Sequence, residues 1–310
     1  MCVIISTTEP DSVDTATAEF IGIIAFGSDQ HNKGDKRMSK ALVHNYVIPI
    51  KGVKRKIIYQ FSDLHINLAD ELSSESEKQT VAKNIDGWHK GRLGFAMAFN
   101  ELCGEDQLAE AHEHLEALLE KAQEDGDALI LAGDIFDYIN GAHIRFFEKR
   151  FSNLSIPFVA VCGNHEPTEQ IPNDGYMATM KQPVQILDLD DLVIIALDNS
   201  KRIVSTEQID AVKAQLTHPK PIIIAMHIPI LTENNKILKH REEYYHLNYM
   251  GCPKENLEFI DLICSNSEKI AAIFAGHLHF LNVCELKPGL TQYVSSQGLL
   301  GNINRYTVGE

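Results

Sequence analysis

The sequence predicts an α/β protein whose functional side chains lie at the carboxyl ends of its strands. Five short apolar runs each end abruptly in Gly, Asp, His or Asn, and helical patterns stand between most of these runs. Because α/β sheets bind ligands at the carboxyl ends of their strands, we expect the polar residues to share one edge of a sheet. The runs cover residues 57–61, 129–132, 158–162, 222–226 and 270–275.

The run at 129–132 leads through Gly133 into Asp134, and Asp137 follows. A carboxylate at the end of a buried strand is unfavourable unless a positive charge meets it. Taken alone, Asp134 would be interpreted as the cap of a following helix. The four other junctions favour a metal-binding interpretation, because each of them ends in a residue of a type that binds metal ions.

These other junctions supply both carboxylate and imidazole groups. In chain order they provide Asp63 and His65, Asn164 and His165, His227, and finally His277 and His279. Asp63 and His65 are two residues apart, so a regular strand would point both side chains to the same side. The pair at 277 and 279 repeats this spacing. Such a mixed set of nitrogen and oxygen donors suits Mn, Fe or Zn rather than Ca or a thiolate site.

Two such metal ions would make the junctions a site for phosphoryl transfer. Two ions roughly 3.5–4 Å apart hold a bridging hydroxide and clamp phosphoryl oxygens for in-line attack. Asp134 has two oxygens and can bridge the ions, while Asn164 adds a neutral ligand. His165 is not needed as a ligand and is free to donate a proton to the leaving oxygen. Asp134 and His165 are therefore the predicted catalytic residues.

The order of these blocks resembles the calcineurin-like metallophosphoesterase superfamily, with its D-x-H, G-D-x-x-D, G-N-H-D/E, H and G-H-x-H pattern. The match runs from residue 55 to about 296, and Glu166 stands where Asp is commoner. The resemblance implies a four-layer α/β/β/α sandwich, with Asp137 orienting a neighbouring group. It implies one metal held by Asp63, His65, Asp134 and His279, and another held by Asp134, Asn164, His227 and His277.

The chain divides into a short first part and a large domain. We expect residues 1–54 to form an N-terminal extension with strands at 20–26 and 43–50, either laid on the main sheet or set apart as an appendage. Residues 55–310 are expected to form the phosphoesterase domain that the resemblance implies. A helical insert follows His65, and its clearest helix is expected over 105–124, with Gly126 as the stop.

The remaining elements follow from periodicity and turn chemistry. Helices are expected at 142–154, 205–216 and 255–264, and antiparallel pairs at 184–187 with 192–197 and at 283–286 with 292–295. Within the helical insert, His112 and His114 are expected on a solvated face. The chain's one tryptophan, Trp88, is expected to anchor the core.

The amino-acid composition restricts the binding partners that we expect. Lys and Arg number 28 against 43 Asp and Glu, and the net charge of −15 disfavours DNA or an anionic membrane as a partner. A small phosphoester is still allowed, because metal ions would set the local charge. The sequence contains no C-x-x-C pair, so we expect no zinc knuckle. Neither a signal peptide nor a membrane-spanning segment is indicated, and we therefore expect the protein in the cytoplasm.

The predicted function is a dinuclear phosphodiesterase acting on small, soluble, nucleotide-like substrates. The segment Met226-His227-Ile228-Pro229 looks like the H-x-P segment of small soluble phosphodiesterases. Arg241 and Tyr245, which follow this segment, are the candidate substrate-binding residues, and Arg92 beside Trp88 is a further one. The alternatives are a phosphomonoesterase or protein phosphatase of the same fold, a non-catalytic scaffold, and a nuclease, which the charge opposes. The oligomeric state is left open.

Overall fold

Residues 41–99, 110–231 and 245–310 are described by the computed structural model, with residues 92–99 as backbone only. Within these ranges the chain forms eleven strands and five helices. The strands are β1 (Leu42–Ile48), β2 (Lys56–Phe61), β3 (Ala128–Ala132), β4 (Phe158–Val161), β5 (Val184–Asp188), β6 (Val193–Leu197), β7 (Ile222–Ala225), β8 (Ile270–Ala275), β9 (Asn282–Lys287), β10 (Leu290–Val294) and β11 (Asn302–Val308). The helices are α1 (Glu75–Phe99), α2 (Ala111–Asp125), α3 (Gly141–Phe151), α4 (Thr206–Leu216) and α5 (Lys254–Ser265).

The strands make two mixed sheets. The first has the order β1-β11-β2-β3-β4, and the second has the order β5-β6-β7-β8-β10-β9. In the first sheet β2, β3 and β4 are parallel, and in the second β6, β7, β8 and β10 are parallel. The carboxyl ends within each parallel set therefore lie at one edge of its sheet.

Three apolar clusters separate four layers. Leu131 on β3 packs with α2 and α3 residues such as Leu118 and Phe147. Its neighbour Ile130 points to the other face and packs in the cluster that both sheets share. A third cluster joins the outer face of the second sheet to α4 and α5. The expected four-layer α/β/β/α sandwich is confirmed.

The strand expected at 43–50 is present as β1. It pairs in parallel with β11, from Leu42 opposite Asn302 to Ile48 opposite Val308, and so forms an edge of the first sheet. The strand expected at 20–26 lies outside the described residues. The division of the chain at residue 54 stays a prediction.

β11 has no counterpart among the sequence predictions, although it lies inside the first sheet between β1 and β2. Its asparagines interrupt the apolar pattern that marks a buried strand. Asn304 is buried and donates a hydrogen bond to the Tyr306 hydroxyl at 2.8 Å, and that hydroxyl donates to Gln60 at 2.6 Å. Buried polar groups with such partners are tolerated, so a central strand can carry them.

The helical insert contains α1 and α2. In the described chain α2 begins at Ala111, after a capping box between Glu110 and Glu113, and the expected start at 105 lies outside the described residues. The expectation for His114 was wrong, because its side chain is fully buried. His114 is three residues after Ala111 and four before Leu118, which places it on the buried face of the helix. His112 is half-buried.

The remaining local predictions agree with the structure. Ser205 and Gln208 form the expected capping box at the start of α4. β5 with β6 and β9 with β10 are antiparallel pairs. Among the helices in the described ranges, none is long and apolar enough to cross a membrane.

Candidate metal centre

The five predicted junctions come together, but from two sheets rather than one. β2, β3 and β4 of the first sheet bring the residues at 63–65, 134 and 164–165, and β7 and β8 of the second bring 227 and 277–279. The expectation of a single sheet edge was therefore wrong. The two sheets pack face to face, and the donor groups from both lie within a few ångströms of one another.

Backbone strain is concentrated at this centre. Seven non-glycine residues in the described ranges have positive φ, and five of them are predicted metal ligands. Their φ angles are 56° at Asp63, 48° at His65, 51° at Asp134, 72° at His277 and 59° at His279. A left-handed conformation costs about 1–3 kcal/mol at a non-glycine residue and persists only where the surrounding structure imposes it.

Strand alternation does not explain why the side chains of Asp63 and His65 both point toward the centre. Strand alternation was expected to point both side chains the same way, but β2 ends at Phe61. The backbone is held instead by the next loop, because Asp63 N donates to Gly133 O at 3.0 Å and His65 N donates to Asp134 O at 3.0 Å. The Asp63 carboxylate in turn accepts a hydrogen bond from His277 N at 2.9 Å.

Two glycines in the motifs allow these loops to approach closely. A Cβ added at Gly133, where φ is +88°, would lie 2.5 Å from His227 Nδ1. A Cβ added at Gly163 would lie 2.1 Å from Asp134 Oδ1. Any side chain at either position would therefore displace a predicted ligand.

Glu166 joins the loops that follow β3 and β4. Its buried carboxylate accepts hydrogen bonds from the backbone N–H groups of Asp134 at 3.1 Å, Phe136 at 2.9 Å and Gly163 at 2.9 Å. Burial, together with the nearby charge of Asp134, raises the pKa of Glu166 to about 8. Glu166 thus holds two ligand-bearing loops in one arrangement.

One group of donors contains Asp63, His65 and His279. His65 Nε2 lies 3.0 Å from His279 Nε2, and His279 Nε2 lies 3.4 Å from Asp63 Oδ1. His65 Nε2 is also 3.9 Å from Asp134 Oδ2. Imidazole nitrogens and carboxylate oxygens that point at one another in this way have the arrangement of ligands around a shared cation.

A second group contains Asp134, His227 and His277. His227 Nε2 lies 3.3 Å from Asp134 Oδ2 and 3.1 Å from Asn164 Oδ1. His227 Nδ1 donates to Ala132 O at 2.7 Å, so its Nε2 lone pair faces the centre, as in metal-binding histidines. Burial opposes ionisation of Asp134, but the neighbouring histidines, His227 first and then His65 and His165, hold the pKa of this carboxyl below its usual range when they are protonated.

Asp134 therefore lies between the two groups and contacts a histidine of each. The carboxylates of Asp63 and Asp134 are both buried, which is costly unless cationic groups meet them. Carboxylate and imidazole donors suit Mn, Fe and Zn. These Asp and His groups could bind metal ions at two neighbouring positions.

His165 belongs to a third group, with Asp137 and His65. His165 Nδ1 lies 3.0 Å from Asp137 Oδ1, and the His165 side chain is 36% exposed. Burial alone would lower the pKa of His165, but the hydrogen bond to Asp137 and the charge of Asp134 raise it to about 9. Since Asp137 engages Nδ1, Nε2 is the nitrogen left for proton transfer.

Among the candidate substrate-binding residues, the structure locates Tyr245. Its ring centroid lies 5.8 Å from that of His277, beside the second donor group. Arg241 and the side chain of Arg92 lie outside the described residues.

Two residues at the centre had not been predicted as part of the site. Trp88 packs against the core, as expected, but it also stacks on His65. Asn199 is buried, and its side-chain oxygen accepts from His227 N at 3.0 Å and from Ile228 N at 2.9 Å. Asn199 follows an apolar run, β6, and that signal could have identified it. No local pattern marks Trp88.

Comparison with known proteins agrees with this geometry. Residues 57–281 match the family model of calcineurin-like phosphoesterases, and the chain belongs to that family. A search among curated proteins found no match.

Two solved structures are similar to the chain at low identity. One is a dimetal phosphatase from Danio rerio, with 12% identity, a TM-score of 0.46, and 79% of this chain and 88% of that chain covered. Another is a predicted phosphoesterase from Streptococcus pneumoniae, with 11% identity, a TM-score of 0.32, and 79% and 75% covered. Both scores are below 0.5, so the family assignment rests on the sequence match.

Family and site together define a metal-dependent phosphoester hydrolase, which confirms the expected class of enzyme.

Replacing Asp134 by Asn should remove one or both metal ions and nearly all activity, because a carboxylate oxygen shared by both donor groups becomes an amide nitrogen. Metal content after dialysis, measured together with turnover of bis-p-nitrophenyl phosphate, checks this. Asp190→Asn is the matched control, because Asp190 also has a positive φ of 68° but is exposed and lies in the turn between β5 and β6. Full activity with both metals retained in Asp134→Asn would contradict the bridging role.

Proposed function

We propose that the protein is a dinuclear phosphodiesterase that acts on small, soluble, nucleotide-like phosphoesters. The observation that carries the proposal is the buried Asp134 carboxylate between two groups of Asp and His donors. A shared carboxylate is what a two-metal phosphoesterase requires, since both ions must lie close enough to engage one phosphoryl group.

The proposed ligand sets follow the two donor groups. One metal would be held by Asp63, His65, Asp134 and His279, and the other by Asp134, Asn164, His227 and His277. The distances of 3.0–3.9 Å within the first set and of 3.1 and 3.3 Å around His227 support this division. Mn, Fe and Zn are the proposed metals, because the donors combine oxygen with imidazole nitrogen. When bound, the ions supply Lewis acidity and lower the pKa of water.

The protein's own groups prepare this site for a phosphoester. Asp63 is oriented by His277 N, and His227 is oriented by the Ala132 carbonyl and by Asn199. These hydrogen bonds fix the donors before a substrate arrives, which reduces the reorganisation needed in the transition state. Asn164 is exposed and His165 is partly exposed, so the centre is open to solvent where these two residues lie.

His165 is the proposed proton donor to the leaving oxygen. Asp137 holds the ring through Nδ1 at 3.0 Å, and the His165 backbone N–H donates to Asp134 Oδ1 at 2.9 Å. The ring is therefore placed next to the shared carboxylate without serving as a ligand. A positioned acid of this kind contributes roughly 10²–10⁴-fold to rate.

Tyr245, Arg241 and Arg92 are the proposed substrate-binding residues. The position of Tyr245 beside His277 supports its part in this proposal. An aromatic ring next to a metal centre suits a phosphate that carries a base or another aromatic group. The net charge of −15 opposes a nucleic acid polymer as substrate, and the cytoplasm remains the proposed compartment.

The proposed reaction is tested with the purified full chain, which is dialysed against EDTA and then supplied with Mn²⁺. We expect Mn²⁺ to restore hydrolysis of bis-p-nitrophenyl phosphate and of a nucleotide diester or cyclic nucleotide. Faster hydrolysis of p-nitrophenyl phosphate and phosphopeptides would indicate the phosphomonoesterase alternative. Cleavage of DNA would indicate a nuclease, and metal binding with no turnover on any substrate would indicate a scaffold.

His165→Ala should retain both metals but lower kcat by roughly 10²–10⁴-fold on diesters with poor leaving groups. The loss should be smaller when p-nitrophenolate departs, because that group needs little protonation. Steady-state kinetics on both kinds of substrate, with metal analysis, check this. The exposed His218 provides a control in His218→Ala. An equal loss on both substrates, or loss of metal, would count against a proton donor.

Tyr245→Ala and Arg241→Ala should raise KM for the preferred nucleotide-like substrate and change turnover of bis-p-nitrophenyl phosphate much less. The small diester reports mainly on the metals, whereas the larger substrate also reports on the surrounding side chains. Tyr176→Ala is a suitable control, because that tyrosine is 42% exposed and lies in another segment. If the double variant treats all substrates as the parent does, these residues do not determine specificity.

A further inference from the structure

The chain has a single tryptophan, and the structure places it directly against the metal centre. Trp88 lies on α1, in the helical insert, and its ring stacks on His65 with centroids 4.1 Å apart and planes inclined by 22°. The indole is also 6.1 Å from the ring of His279 and 6.3 Å from that of His165. It therefore touches a predicted ligand and lies near the predicted proton donor.

The same helix also reaches Asp137, the carboxylate that lies 3.0 Å from His165 Nδ1. Asp137 also accepts from Asn67 and from Asn84, each at 3.3 Å. Asp137 is thus the point at which α1 meets the predicted catalytic residues.

Asn84 and Trp88 act from one face of α1. They are four residues apart, so their side chains are neighbours on the helix surface. Asn84 donates to Asp137 at 3.3 Å and to Asn67 at 3.0 Å, while Trp88 stacks on His65. A tryptophan that served only the core would not need a stacked ligand ring. Trp88 is instead half-buried and makes this contact.

We propose that Trp88 is a positioning residue of the metal centre, which holds the His65 ring through its face. This rests on the proposed function, because His65 is a metal ligand only in a dinuclear phosphoesterase. Loss of the stack should loosen the metal site that includes His65.

Because Trp88 is the only tryptophan, its fluorescence reports on this site without any measurement of activity. Titration of the EDTA-treated full chain with Mn²⁺ should change the tryptophan emission, and the change should saturate together with the binding measured calorimetrically. The proposal is overturned if two ions bind and the emission does not change.

Two variants test the stack. Trp88→Phe keeps an aromatic face and should bind Mn²⁺ as the parent does. Trp88→Leu lacks the aromatic face and should weaken Mn²⁺ binding by roughly 10–100-fold. Lys90→Ala, at an exposed position on the same helix, should also match the parent.

The outcomes distinguish this inference from the proposed function. Parental Mn²⁺ affinity in Trp88→Leu, or an equal loss of affinity in Trp88→Phe, would overturn the positioning role, while the phosphoesterase proposal would stand. If the parent protein itself binds no metal and hydrolyses no phosphoester, the proposed function fails. If Trp88→Leu does not fold, the fluorescence titration of the parent decides.

Discussion

The structure depends on the buried carboxylate of Asp134 and on the way the surrounding loops hold it. Its backbone carbonyl accepts from Leu64 and His65, and its own N–H donates to Glu166. Its side chain lies near His227 and His65. A buried carboxylate is stable only when positive or polar groups surround it. The loops after β2, β3, β4 and β7 are all arranged to supply such groups at this one point.

Meeting this requirement imposes strain on the backbone. The donor side chains lie beyond the ends of the regular strands, since β2 ends at Phe61, β3 at Ala132 and β8 at Ala275, so strand geometry does not set their directions. Left-handed turns at Asp63, Asp134 and His277 redirect the chain as each strand ends. The close approach at Gly133 and Gly163 then leaves no room for a side chain. Local preference is overruled where the site is built, as is common at functional sites.

The helical insert adds a second level of organisation. The strand ends of the two sheets bring the donor groups together, whereas α1 reaches them through Asp137 and His65. His89 on α1 also lies 3.0 Å from Glu110, the residue that caps α2. The two helices of the insert are therefore tied to each other, and α1 is also tied to the centre. Changes in the insert can act on the metal site without altering a donor group.

The sequence by itself determined the apolar runs, their polar ends and the helix caps, because periodicity and capping are local properties. It therefore indicated the donors, such as Asp134 and His227, and the class of fold. Only the tertiary structure decided that the donors come from two sheets, that β11 is a central strand, and that His114 is buried. It also decided that Trp88 faces His65. These features depend on contacts between distant parts of the chain, and no spacing within one segment records them.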